Sequence, residues 1–114
     1  MGVDEAAQTS VRQIERAGRA EWPEIVAATE ELRGRSWAEM MTAWGDWERD
    51  GVIYVAVRYG RLRLAEVVRA MSGPKYGAAA QGVRRFAAGL AQDPAKVAFV
   101  EAMKRKLHGR KRVK

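Results

Sequence analysis

The chain has 114 residues, room for one domain that buries roughly 65% of its unfolded surface, and its 47% hydrophobic and 31% charged content is globular rather than disordered. With no Cys and a single His, His108, it is excluded from disulfide frameworks, thiolate chemistry and multi-histidine metal sites, and neither a metal nor another cofactor is expected. The formal net charge of +7 and pI near 10.2 direct attention to polyanionic partners.

Taken in chain order, the pattern predicts helices throughout. A first, weak helix spans roughly residues 4–19, with only Val11, Ile14 and scattered Ala to bury. Pro23 suits the first turn of a second helix, in which Ile25, Val26, Thr29 and Leu32 make one face until Gly34. Ser36 followed by Glu39 has capping-box spacing and opens a short helix with Trp37, Met40, Met41 and Trp44. Gly45 ends it, and Asp46 is placed to cap the next helix, which runs to Tyr59. Val52–Val57 is rich in β-formers, but Trp47, Val52, Val55, Ala56 and Tyr59 are spaced as on a helix.

Leu64, Val67, Val68 and Met71 follow i, i+3, i+4, i+7, a short amphipathic helix that Ser72-Gly73-Pro74 breaks. A longer helix starts near Lys75, with Ala79, Val83, Phe86, Ala87 and Leu90 on one face and Gly77, Gln81, Arg84, Arg85 and Ala88 opposite. Asp93-Pro94 opens the last helix, whose core residues are Val97, Val100, Met103 and Leu107. Residues 108–114 carry no core pattern and read as a mobile basic tail. The expected fold is therefore all-α, a helical bundle containing a helix-turn-helix. Residues 1–35 are an acidic N-terminal helical extension, 36–107 the DNA-binding domain, and 108–114 the basic C-terminal tail.

Charge divides the chain. Residues 1–57 hold 6 Lys/Arg against 11 Asp/Glu, a net of −5, whereas residues 58–114 hold 15 Lys/Arg against Glu66, Asp93 and Glu101, a net of +12. A basic half of this kind is the electrostatic footprint of nucleic-acid binding. Two helices joined by a short Gly-containing turn, the second presenting Gln and Arg outward, meet the needs of a helix-turn-helix. One face anchors the second helix while the other enters a major groove about 12 Å wide, where Arg bonds guanine and Gln bonds adenine.

The expected DNA contacts follow. Lys75 meets phosphate at the helix start, and Tyr76 stacks, bonds a phosphate or plugs the turn. Gln81 is the best candidate for a base edge, and Arg84 and Arg85 contact phosphate or guanine. Arg58, Arg61 and Arg63, three Arg in six residues with no acid between, form a backbone-contacting loop. Lys104, Arg105, Arg110, Lys111 and Arg112 add salt-sensitive, non-specific affinity. The partner is duplex DNA rather than RNA, whose deep, narrow major groove side chains do not read. No apolar run approaches the ~18 residues of a membrane span and the acidic start is unlike a signal peptide, so a cytoplasmic, nucleoid-associated protein without membrane contact is expected. Trp22, Trp37, Trp44 and Trp47 all fall in the acidic half and read as core. The alternative is an adaptor in which that half docks a second copy or another protein.

Three further segments, Leu64-Ala-Glu-Val-Val-Arg-Ala-Met71, Gly73-Pro-Lys-Tyr76 and Val83-Arg-Arg-Phe86, together resemble the C-terminal DNA-binding domain of the bacterial replication initiator DnaA, a Trp-repressor-like helix-turn-helix. With Gly45-Asp46-Trp47-Glu48-Arg49-Asp50 and Trp37 upstream, they are closer still to the helix-turn-helix tails of REP-associated tyrosine transposases. The resemblance covers residues 36–107 and implies a basic loop at Arg58–Arg63 near the DNA backbone. Where the initiator reads G-R-D-H-T-T-V, this chain has Gly73-Pro74-Lys75-Tyr76-Gly77-Ala78-Ala79, so most implied base contacts are gone and recognition of the initiator's own box is not expected. The transposases keep their chemistry in a separate nuclease module with paired histidines, which a chain with one His is not; no enzymatic activity is expected.

Overall fold

The computed structural model describes residues 20–112, with side chains as far as His108; the helix expected over 4–19 lies outside the described residues. Those residues are all helical in their regular structure, with no strand. Six helices pack around one core: α1 (Trp22–Arg33), α2 (Trp37–Thr42), α3 (Glu48–Arg58), α4 (Leu64–Met71), α5 (Tyr76–Gly89) and α6 (Pro94–Arg112), with a 3-10 turn at Leu90–Gln92 between the last two.

The helix ends follow local rules. Pro23 sits in the first turn of α1, and Gly34 closes it at φ +67, its N–H bonding to the Glu30 carbonyl at 2.8 Å. Only glycine adopts that φ without steric cost. Ser36 and Glu39 form the capping box, with reciprocal bonds of 3.2 and 3.1 Å. At α6, the Asp93 carboxylate accepts from Ala95 N at 3.0 Å.

Three local expectations are corrected. Asp46 does not cap α3; it is exposed, and the cap position falls on Trp47 with no side-chain bond. The carboxylate that serves this turn is Glu48, which accepts from Gly45 N at 2.7 Å. Ala87 and Val97 are exposed, and Phe99 takes the core position beside Val100. The last helix continues through 108–112, residues expected in the basic tail. A basic run at a helix C-terminus is favoured by the helix dipole, which offsets the cost of Gly109.

Residues 20–35 are not an appendage. Ile25 and Ala28 of α1 are fully buried in the same core as Phe99, Val100 and Met103 of α6. Thr29 between them bonds the Ile25 carbonyl at 2.7 Å and lies 3.9 Å from the Met103 sulfur. The acidic residues that suggested a separate extension occupy the other faces of α1, Glu31 being exposed. Net charge along a chain does not report which face of an amphipathic helix is buried. All four Trp pack against the core as expected, each half-buried. Trp22, Trp37 and Trp44 meet edge to face at 5.6 and 5.4 Å, while Trp47 contacts Phe86 and Phe99 at 5.8 and 5.5 Å.

Candidate nucleic-acid interface

α4 and α5 are joined by a four-residue connection, Ser72–Lys75. Ser72 at φ +60 and Gly73 at φ +121 turn the chain, and Ser72 N and Gly73 N close α4 by bonding to the Arg69 and Val68 carbonyls at 3.2 and 3.1 Å. Val67 and Met71 of α4 and Ala79, Gly82 and Phe86 of α5 are buried. The anchor is Phe86, whose ring lies 5.1 Å from that of Tyr54 and 5.8 Å from that of Trp47. Burying a Phe here contributes on the order of 3 kcal/mol, which ties α5 to α3.

α5 runs alongside α3 in the same direction. Asp50 of α3 lies against Gly82, Tyr54 against Phe86, and Tyr59 shares a groove of about 340 Å³ with Leu90, just past the end of α5. Gly82 permits this approach, because a Cβ there would collide with the Asp50 carboxylate. Gly77, in contrast, faces open space.

The remaining face of α5 is uncovered. Gly77, Gln81, Arg84 and Ala88 are all exposed, and their spacing puts them on one stripe. Between Glu66 and Asp93 the chain contains no acid. Lys75 is exposed at the N-cap, and Tyr76 is 57% exposed, so its ring does not plug the turn. Arg85 is exposed too, but its guanidinium turns back to Asp50 at 3.7 Å.

The two basic segments expected to act separately come together at the other end of α5. Arg58 and Lys104 both stand over the Tyr59 ring, at 5.9 and 4.8 Å from its centroid. Arg61, exposed at φ +62, and Arg63, whose N–H donates to Glu66 Oε1 at 2.8 Å, continue the loop into α4. Arg105 is exposed on α6. The side chains of Arg110, Lys111 and Arg112 lie beyond those described. Lys75 and the Tyr59 cluster therefore stand near opposite ends of α5, which is about 21 Å long at 1.5 Å per residue. Burial raises the Tyr54 phenol above its ordinary range and Tyr59 adds to this, while Arg58 pulls the other way; Tyr54 stays neutral beneath the basic cluster.

A second polar cluster lies at the start of α3, where Glu48 pairs with Arg33 and stands 3.9 Å from Arg35. The adjacent carboxylates at 46, 48 and 50 do not converge: Asp46 is exposed, Glu48 turns to α1 and Asp50 to α5. Among the described residues no group of acids or His is placed to hold a metal ion, and no helix is long and apolar enough to cross a membrane. The basic charge of α5 was legible from spacing; the Asp50–Arg85 contact was not, because residues 35 apart carry no periodic signal. Comparison with protein-family models, curated proteins and solved structures finds no match.

Proposed function

We propose that this protein binds duplex DNA without catalysing a reaction on it, using α4 and α5 as a helix-turn-helix. The observation that carries the reading is the uncovered, acid-free face of α5, with cations near both of its ends. Gln81 and Arg84 lie on the groove-facing stripe, where Gln pairs with adenine and Arg with guanine, Arg84 turning to a phosphate on a duplex that presents no guanine there. Gly77 and Ala88 keep that stripe slim enough to enter a major groove about 12 Å wide. Lys75 at one end, Arg58 and Lys104 at Tyr59 toward the other, and the exposed Arg61, Arg63 and Arg105 contact the flanking phosphates, which position the helix but carry no sequence information. The likeness to the helix-turn-helix of replication initiators and transposase tails supports the same assignment, as a DNA-recognition module acting at the nucleoid.

The test is fluorescence anisotropy with a labelled duplex at several salt concentrations, beside Lys75→Ala/Arg84→Ala. Binding is expected to weaken steeply with salt, and the double variant to flatten the log–log slope by about 1.8, two phosphates' worth. A duplex bound equally well by the variant places the contacts on the Tyr59 side alone. A duplex that is not bound at low salt removes the reading and favours the adaptor.

A further inference from the structure

Arg84 and Arg85 are chain neighbours with different surroundings. Arg85 Nη2 is 3.7 Å from Asp50 Oδ2, whereas no ion pair is found for Arg84 among the described residues. The Asp50 side chain is only 13% exposed, against 70% for Arg85. It is wedged where α3 meets α5, against the backbone at Gly82, and its Oδ1 is buried without a hydrogen bond, 4.0 Å from Arg49 Nε. The acid is the confined partner and the arginine the exposed one, so the guanidinium comes to the carboxylate.

We infer that Asp50 masks Arg85, leaving Arg84 as the guanidinium on α5 that works on DNA, and that Asp50 thereby restrains phosphate affinity and protects sequence discrimination. The inference rests on the DNA-binding reading above. A phosphate approaching Arg85 meets the neighbouring negative charge as well, so the pair as a whole attracts few counterions and releases few on binding. Contacts to phosphate strengthen binding to every sequence alike. An acid that cancels one of them lowers the non-specific background against which Gln81 and Arg84 discriminate.

Binding of a random-sequence duplex of about 20 base pairs, at roughly 50–200 mM salt, decides it. Asp50→Asn is expected to bind several-fold tighter than wild type, with a slope steeper by about 0.9, one additional phosphate. Arg85→Ala is expected to match wild type, Arg84→Ala to lose about 0.9 in slope, and Asp50→Asn/Arg85→Ala to show no gain. A loss in Arg85→Ala as large as that in Arg84→Ala overturns the inference, as does a gain from Asp50→Asn that persists without Arg85. Should Asp50→Asn not fold, as judged by circular dichroism, the comparison of Arg84→Ala with Arg85→Ala decides alone. A wild-type protein that binds no duplex at the lowest salt removes both the DNA reading and this inference; one that binds but shows either overturning pattern removes only the inference.

Discussion

Arg33 at the end of α1 and Glu48 at the start of α3 form an ion pair, the Glu48 side chain being 7% exposed. Burial pushes the Glu48 carboxyl up, but the Gly45 amide and the Arg33 and Arg35 guanidinium groups outweigh it, and the group settles below its usual value of 4.5. A carboxyl whose folded pKa is depressed contributes stability that is complete above the unfolded pKa and lost as pH falls through the folded one. Glu48→Gln is therefore expected to cost about 1.5–3 kcal/mol at neutral pH, the worth of hydrogen bonds to a charged group. The gap from wild type should narrow below about pH 4. Urea titrations of both proteins at pH 7 and pH 3 check this; an equal gap at the two values means that charge is not the source.

Gly51 and Gly77 are both helical and respond oppositely to Ala. A Cβ on Gly51 would lie 3.0 Å from a Phe86 ring carbon and 3.1 Å from one of Phe99, rings that their own neighbours hold in place. Overpacking of this kind costs about 1–3 kcal/mol and outweighs the gain in helix propensity. Gly77 has no neighbour within 4 Å, so Gly77→Ala gains about 0.5–1 kcal/mol. Thermal unfolding should move in opposite directions for the two variants.

Phe86→Ala is expected to cost about 3–5 kcal/mol. Because this ring ties α5 to α3, duplex binding should fall with the loss of structure rather than ahead of it. Hydrogen exchange resolved along the chain is expected to show α5 opening first; uniform protection would mean that Phe86 is not what holds it.

Arg61 carries a left-handed backbone at φ +62 in an exposed loop, which costs a non-glycine residue about 1–2 kcal/mol. Replacing it with Gly is expected to hold or raise stability by about 1 kcal/mol while weakening duplex binding and flattening its salt slope by about 0.9. Measuring unfolding and binding on the same variant separates the two effects. A stabilised protein with unchanged binding removes Arg61 from the phosphate contacts.

The order of the described helices was legible because it is written in local spacing. Leu64, Val67, Val68 and Met71 predict α4, and Ala79, Val83 and Phe86 the inner face of α5. Ser36 and Glu39 predict a helix start, since a cap needs only residues three apart. The same spacing left Gln81 and Arg84 outside, as found. Its failures share one cause. Ala87 and Val97 fit the periodicity of their helices but lie where no neighbouring helix covers them, and a periodic face does not say how wide its partner is.

What the sequence determined by itself is the set of helices, the sides on which they are apolar, and the concentration of basic charge in the second half. Each depends on residues within a turn or two of one another, or on composition alone. Tertiary structure decided the pairing of those sides. It docked α1 onto α6 as core rather than extension, joined Arg58 to Lys104 at Tyr59, and set Asp50 against Gly82 within reach of Arg85. Such contacts join positions tens of residues apart, and close packing selects them by matching shape and charge only once the helices meet.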